Sequence, residues 1–430
     1  MVTKEQKISD YICSRLLESI RFDPTSERDS YTSGIHRPGT GPGGIGYSYW
    51  KSYDKLALHE LLPAIRNASS TDMSLSEALE LVEKFCSLYI NPVIAGKFNW
   101  QDGRGSLDNY LSDAQKSVLK GAFFSHLLDF SREKWYWAPL NSIVGASYRG
   151  RCLILADVPE SSDITDQRMS DFLQKPLLEK ATKYAGLKAR NTGHAKEKLS
   201  VVLGALFLCM YSGTHHSHTM GRSTSGLLSF EGGATIFSTR AHLPYLANKI
   251  DLTDADFPTL SRVEELLEGD VMDRKLVRSL RWLSNSWFAY GAERFSLTCQ
   301  AIDALTPSDL NTMKAKCSWI YDQLSGQIAH EPIEMLFKKI RSDIVHGDAP
   351  SLIESPTYLD FLSRYGVDPE LAVVEIVRKV IVERFMQCVS VRSHPILAYP
   401  EIIESQKKIF AKYGVEYSPP AAFSFEKLAR

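Results

Sequence analysis

The sequence predicts a mainly α-helical protein, in which an all-helical C-terminal part follows an N-terminal region that mixes helices and strands. From about residue 256 the apolar residues follow helical stripes, which predict four or five helices. Before that point, helical stretches alternate with β-rich segments and with a long segment rich in Gly, Pro and Ser. We therefore expect residues 1–255 to form the α+β region and residues 256–400 to form a helical bundle. A helical or irregular extension is expected at 401–430.

The N-terminal region begins with a helical stripe over residues 5–21 and continues with a predicted loop over residues 21–50. Residues 142–159 are β-rich, and residues 227–239 predict a hairpin that turns at Gly232 and Gly233. Further helices are predicted at 54–66, 75–90, 112–131, 166–186 and 195–211.

The C-terminal part contains its own start and stop signals. A long helical run over 273–305 ends before Pro307, which cannot continue a helix. Asp368 followed by Pro369 is typical of a helix start, because Asp caps free amide groups and Pro fits the first turn. The helices expected here are 259–269, 273–305, 308–323, 331–346 and 368–389.

The overall charge excludes a protein-wide attraction to nucleic acid, so any such contact must come from local patches. The 430 residues carry 50 Lys and Arg against 51 Asp and Glu, a net charge of −1. Seven scattered Cys without a C-x-x-C pair indicate reduced thiols in a cytosol. Neither a signal peptide nor an apolar run of about 20 residues is found. The expectation is a cytoplasmic protein without membrane contact.

Two polar motifs are more typical of loops than of ligand sites. The segment 39–46 contains G-x-G-x-x-G twice, but no strand precedes it and no G-K-[ST] follows. His215, His216 and His218 lie close enough to bind zinc, but their neighbours are Ser, Thr and Gly, without carboxylate or Cys support. No metal or other cofactor is predicted.

A basic stretch at 180–198 is the strongest cationic segment outside the C-terminal part. Most charge runs are solvated faces, but this one would suit an RNA-positioning surface. Lys188 and Arg190 are its candidate RNA-binding residues.

The segment IRSDIVHG, residues 340–347, carries an Arg and a His five positions apart. Chance supplies roughly one or two such pairs in a chain of this size, so the spacing alone means little. A structural interpretation is that His346 interacts with the last carbonyls of a helix that ends at Gly347. On a regular helix, the side chains of two residues five positions apart point about 140° away from each other around the helix axis. Arg341 and His346 therefore converge only through a turn at the helix end or through a second subunit.

This segment resembles the signature of the HEPN superfamily, and most closely its Apea-like branch of helical ribonucleases and nucleotide-binding domains. In that family an Arg, a polar residue and a His end the third helix of an up-and-down bundle. The segment ERFSLTCQAIDALTP, residues 293–307, resembles the family's "R-F…A-L-E-A-L" helix, with Asp303 where Glu is usual. The resemblance covers roughly residues 270–395 and nothing before residue 255.

The resemblance implies a metal-independent endoribonuclease that leaves 2′,3′-cyclic phosphate and 5′-OH ends. RNA supplies its own nucleophile, the 2′-OH, so the protein needs a proton-transferring group and a cation. His346 suits the first task and Arg341 the second, since a guanidinium matches two phosphate oxygens. Ser342 is expected to bind the phosphate or orient the pair, and Asp303 to orient Arg341.

The resemblance also implies a homodimer that faces two such helices across a cleft, with Lys338 and Lys339 as further RNA-binding residues. A bacterial anti-phage toxin acting in abortive infection is the implied role, with RNA as its substrate. A trigger ligand or phage protein is then expected at the N-terminal region, which would control the toxin. The alternative is a non-catalytic HEPN-like protein that dimerises or binds nucleotide or RNA.

Overall fold

The computed structural model is mostly helical with a smaller sheet region, which confirms the predicted mainly α class at that level. None of the helices described is both long enough and apolar enough to cross a membrane. The structure describes residues 3–22, 33–37, 47–53, 55–68, 73–93, 105–130, 132–140, 143–157, 181–209, 226–229, 235–238, 250–268, 274–287, 289, 291–349, 351–386, 404, 407, 408, 411, 412, 414 and 423–429.

The chain divides into two compact units. The first is Met1–Lys134 with Arg190–His194, and the second is Trp135–Ala189 with Ala195–Arg430. This division differs from the predicted boundary at residue 255, because the central strands share one hydrophobic core with the C-terminal helices. A sheet needs a second layer over its apolar face, and helices far along the chain provide it here.

Among the residues that the structure describes, the first unit has four α-helices and a four-stranded sheet of order β2-β3-β1-β4. Its core includes Leu16, Leu81, Phe85 and Phe123, all fully buried. The helices are α1 (Lys4–Ser19), α2 (Lys55–Ala68), α3 (Leu75–Phe85) and α4 (Asp113–Phe130), and the strands are β1 (Ile20–Phe22), β2 (Ser33–Arg37), β3 (Tyr47–Tyr53) and β4 (Gly105–Ser106).

The loop predicted over residues 21–50 is wrong in part. Strand β2 lies within this segment, and β3 begins in it and extends past its end. The two strands pair with each other antiparallel. The aromatic segment YSYWKSY has high strand propensity, which the Gly and Pro content around it concealed in the sequence.

The second unit contains a six-stranded sheet of order β11-β10-β5-β9-β8-β7 and a two-stranded sheet of β12 and β6. Its strands are β5 (Lys134–Leu140), β6 (Ile143–Gly145), β7 (Tyr148–Arg149), β8 (Leu153–Ala156), β9 (Lys183–Ala189), β10 (Gly226–Ser229), β11 (Thr235–Ser238) and β12 (Ile250–Leu252). Strands β10 and β11 pair antiparallel, which confirms the predicted hairpin strands; the turn residues lie outside the described part. The helix predicted over 166–186 is wrong where it reaches β9.

The second unit contains most of helix α5 (Thr192–Leu208) and, in the part of the chain that the structure describes, seven later helices. The later helices are α6 (Phe257–Glu268), α7 (Arg274–Trp287), α8 (Gly291–Leu305), α9 (Met313–Gln323), α10, α11 (Pro356–Tyr365) and α12 (Pro369–Val380). Helix α10 is the name we give to three consecutive segments: His330–Glu334, the π-helical Met335–Ile340, and Arg341–Val345. A π-helical continuation, Ile381–Met386, follows α12.

Helix ends account for the differences from the predicted C-terminal elements. The predicted run 273–305 is two helices, and the second begins at Gly291, whose φ of +58° suits glycine. The predicted start at Asp368 is confirmed, since its side chain accepts the Glu370 N–H at 2.7 Å. Helix α11 was not predicted.

From the extension at 401–430, the buried Leu428 contributes a carbonyl that accepts the Ala329 N–H at 2.8 Å, directly before α10.

A buried ion pair lies within α12, and its arginine also bonds to the end of α5. The Nη1 atom of Arg378 lies 2.8 Å from Oε1 of Glu375, and both side chains are only 2% exposed. The Nη2 atom of Arg378 also donates to the carbonyl of Leu208 at 3.0 Å. Burial raises the pKa of Glu375 despite the nearby arginine. Removing one partner would leave the other charge buried without its counter-ion.

Candidate functional site

The middle of helix α10 is wider than an α-helix, and this widening sets the direction of Arg341. The N–H of Arg341 donates to the carbonyl of Leu336, five residues back, which closes the π-helical turn. One inserted residue rotates all later side chains by about 100° around the axis. Leu336, Phe337 and Ile340 remain buried through the turn, and the side chain of Arg341 leaves at the edge of this apolar face.

Arg341 forms a short ion pair with Asp303 of α8. The distance from its Nη2 atom to Oδ2 of Asp303 is 2.6 Å, and both side chains are 22% exposed. Its Nη1 atom lies 3.7 Å from the sulfur of Met313, at the start of α9. Asp303 and Met313 thus hold the guanidinium from two other helices, while part of it still faces solvent. The contact that the sequence analysis expected between Asp303 and Arg341 is present.

Asp303 has a second cationic neighbour, which the sequence analysis did not identify. The Nζ atom of Lys316 on α9 lies 3.6 Å from Oδ1 of Asp303. One carboxylate therefore lies between an arginine and a lysine. No sequence motif indicated Lys316, because its distance from Asp303 depends on how α8 and α9 are placed around α10.

Two buried thiols lie beneath this group but are unsuited to nucleophilic chemistry. Burial raises the pKa of Cys299, and it raises the pKa of Cys317 to about 11. Both thiols are therefore protonated at neutral pH, whereas the thiolate is the nucleophilic form. They belong to the apolar core of the second unit.

His346 lies at the end of helix α10 and is exposed to solvent. Its backbone remains helical, with φ −85° and ψ −6°, and its N–H donates to the Ser342 carbonyl at 2.9 Å. The chain leaves the helix only at Gly347, where φ is +80°. Because the turn follows His346, it does not redirect the imidazole towards Arg341. The two side chains leave the helix about 140° apart.

Ser342 shares a helix face with His346 rather than with Arg341. The two residues are four positions apart in the α-helical part of α10, which makes them neighbours on the surface. Ser342 is half-buried. Arg341, by contrast, lies on the neighbouring face with Asp303.

Asp343, which the sequence analysis did not single out, fixes the segment after His346. Its Oδ2 atom accepts the hydroxyl of Ser355 at 2.5 Å, and its carbonyl accepts the Ala349 N–H at 3.0 Å. Ser355 in turn caps helix α11 by accepting the Tyr358 N–H at 3.3 Å. These bonds anchor the residues on the C-terminal side of His346.

The predicted RNA-binding lysines of α10 are exposed, one turn or less before Arg341. Lys338 forms only a loose pair with Glu334, with 3.9 Å between Nζ and Oε1. Lys339 is exposed on the same helix. Both are available to an anionic ligand.

The basic stretch at 180–198 does not form the continuous cationic surface that the sequence suggested. Lys183 is buried and paired with Asp157 at 2.7 Å, and the buried Lys198 donates to the carbonyl of Lys188 at 2.7 Å. Lys188 is itself half-buried in β9. The positive charges of Lys183 and Lys198 are therefore bound to acceptors inside the fold, because a buried lysine needs such a partner.

Arg190 likewise has a structural partner, Glu77 of α3, within the first unit. The distance from its Nη2 atom to Oε1 of Glu77 is 3.3 Å. Glu77 also accepts the Asn191 amide at 2.8 Å and the Ser74 N–H at 2.8 Å. Burial alone would raise the pKa of Glu77, but these bonds and the arginine outweigh it, and the pKa lies below its ordinary value.

Two predicted motifs, the Gly-rich 39–46 and the histidines His215, His216 and His218, lie outside the described residues. Within the described ranges, no group of three or more His, Cys, Asp or Glu is arranged to hold a metal ion.

Comparison of the chain with protein-family models, with curated proteins and with solved structures finds no match.

Proposed function

We propose that the second unit is a metal-independent endoribonuclease with a HEPN-like bundle at its C-terminal end. The observation that carries this proposal is the ion pair between Arg341 and Asp303 at the edge of an apolar helix face. A guanidinium has five N–H donors, so one that is fixed and partly exposed is suited to hold a phosphate and to stabilise charge that develops on it.

His346 supplies the proton transfer in this proposal. It accepts the proton of the 2′-OH as that oxygen attacks the adjacent phosphorus, or it donates a proton to the departing 5′-oxygen. The products are a 2′,3′-cyclic phosphate and a 5′-OH. An exposed imidazole at a helix end can reach a bound RNA strand, and Ser342 on the same face orients it.

We propose further that the site is completed by a second copy of the chain. Arg341 and His346 diverge on one helix, so two facing copies would bring both types of side chain to one phosphate. Exposed apolar residues on and after α10 support an interface there: Val345 is 61%, Ile353 67% and Leu359 56% exposed. Apolar side chains grouped near a site are typical of protein interfaces.

The proposed biological role is a regulated toxin in anti-phage defence that acts by abortive infection. An uncontrolled ribonuclease would damage its own host, and the large first unit offers a separate folded body for control. A trigger ligand or phage protein would act there.

The experiment measures RNA cleavage by the wild type, Arg341→Ala and His346→Ala, each with and without EDTA. Arg364→Ala is the matched control, because Arg364 is an exposed arginine in surface ion pairs with Asp360 and Glu331. We expect both site variants to lose at least about 100-fold in rate, with the control and EDTA without effect. Equal cleavage by all variants would refute the site, and strict dependence on a divalent metal would refute the mechanism. RNA binding without cleavage would support the non-catalytic alternative.

A further inference from the structure

We infer that Lys316 is a second phosphate-binding residue, which holds the RNA phosphate next to the one held by Arg341. This inference deepens the proposed function and rests on it. Lys316 would thus form a subsite for one nucleotide that flanks the cleavage position in single-stranded RNA.

The contacts of Asp303 differ in strength, and the difference separates the roles of its two partners. Arg341 lies 2.6 Å from Oδ2, whereas Lys316 lies 3.6 Å from Oδ1. The first distance is that of a charge-assisted hydrogen bond, and the second exceeds the usual length of about 2.8 Å. Arg341 is therefore fixed in place, while Lys316 is held loosely.

The local charge favours an anion. Asp303 is the only carboxylate within 4.0 Å of Arg341 or Lys316 among the residues that the structure describes. One negative charge against two positive charges leaves a net charge of +1. The side chain of Lys316 is 26% exposed, so its ammonium group can reach a ligand in solvent.

The two cations approach different oxygens of the same carboxylate, Oδ1 for Lys316 and Oδ2 for Arg341, which is compatible with one phosphate at each cation. Lysine carries a compact charge on a flexible stem, and its 3.6 Å contact with Asp303 is loose, so Nζ can leave Asp303 for a phosphate at little cost. The guanidinium stays on Asp303 and binds through its remaining donors.

The test measures binding of a 2′-O-methyl RNA oligonucleotide, which lacks the nucleophile and cannot be cleaved, over a range of salt concentrations. The variants are Lys316→Ala and Lys314→Ala. Lys314 is the matched control, because it is an exposed lysine in the same first turn of α9. We expect Lys316→Ala to raise the Kd about five- to tenfold at low salt and to reduce the slope of log K against log salt by about 0.7. Lys314→Ala should change neither, and Lys316→Arg should restore binding.

The outcomes separate this inference from the proposed function. Equal effects of Lys316→Ala and Lys314→Ala would overturn the inference, even if the wild type cleaves RNA in an Arg341-dependent way. Selective loss of binding in Lys316→Ala would support the inference, even if no cleavage were found. In a cleavage assay, Lys316→Ala should raise KM and leave kcat within about threefold. A fall in kcat at constant KM would show instead that Lys316 only supports the Asp303–Arg341 geometry. Thermal denaturation checks that the variants fold.

Discussion

The guanidinium of Arg341 lies 2.6 Å from the carboxylate of Asp303, across the contact between α10 and α8. This contact lies before the end of α10, where His346 and Gly347 complete the sequence motif. The ion pair nevertheless fixes the guanidinium group of the one cation that the proposed chemistry needs. Its loss should therefore affect catalysis more than binding.

Replacing Asp303 by Asn should lower kcat without raising KM. The amide keeps the shape of the side chain but removes the charge that holds Arg341, so the guanidinium becomes free to adopt other rotamers. A misplaced catalytic group typically reduces the rate by about 10- to 100-fold. RNA affinity should remain or increase, because a negative charge is removed next to two cations.

Steady-state kinetics of Asp303→Asn, with Asp322→Asn as the control, measure this effect. Asp322 is an exposed aspartate near the end of α9. Unchanged kcat in Asp303→Asn would show that Arg341 does not depend on its carboxylate partner.

Replacing Glu77 by Gln should destabilise the protein at neutral pH but not at acidic pH. The pKa of Glu77 is lower in the folded protein than the ordinary value of a glutamate, so its contribution to stability is fully present above that ordinary pKa. That contribution is lost as the pH falls through the folded-state pKa. Hydrogen bonds to a buried carboxylate suggest a loss of about 2 kcal/mol at pH 7.

Thermal denaturation from pH 7 to pH 3 measures the difference in Tm between wild type and Glu77→Gln. Glu18→Gln is the control, since Glu18 is about half exposed on α1 of the same unit. A Tm difference that stays constant with pH would rule out the charged form of Glu77 as the stabilising species.

Replacing Arg378 by Ala should strongly destabilise the second unit. The substitution leaves Glu375 buried without its counter-ion and removes the donor to the Leu208 carbonyl. The expected loss in the free energy of unfolding is about 3–5 kcal/mol. Urea denaturation provides the measurement, and Arg384→Ala, an exposed arginine after the same helix, should cost less than about 1 kcal/mol. Similar losses for both would contradict the importance of the buried pair.

Gly347→Ala should destabilise the end of α10, because φ is +80° there and a side chain strains that conformation. The expected cost is about 1–2 kcal/mol. Gly121→Ala should have the opposite sign, since Gly121 lies within α4 and an added methyl group meets nothing within 4 Å. It should stabilise by about 0.5–1 kcal/mol. Equal effects in a denaturation experiment would argue against the left-handed conformation at Gly347.

Helices with one strong apolar face were predictable from the sequence, because their periodicity arises directly from burial. The helix expected at 331–346 corresponds to α10, and the one at 75–90 begins with α3 at Leu75. The π-helical turn within α10 was not predictable, since a regular 3.6-residue period already explained the same apolar residues. Strand β9 was missed because its short sequence, KYAGLKA, is compatible with a helix until its pairing with β8 is known.

The candidate site was predictable only where a local motif exists. Arg341, Ser342 and His346 lie in one short segment, and Asp303 came from a second segment with family resemblance. Lys316 and Met313 have no such signal, because they reach the site through the packing of α9 against α10. The basic stretch at 180–198 was overestimated for the converse reason, because the fold buries Lys183 and Lys198 within it.

The most direct test of the central proposal is the chemistry of the RNA ends at a mapped cleavage position. An RNA of natural composition is compared with one that carries a single 2′-deoxynucleotide on the 5′ side of the scissile phosphate. We predict 2′,3′-cyclic phosphate and 5′-OH ends on the natural RNA and no cleavage at the deoxy position, because the attacking 2′-OH is missing. Cleavage of the deoxy position, or 3′-OH and 5′-phosphate ends, would contradict the proposal.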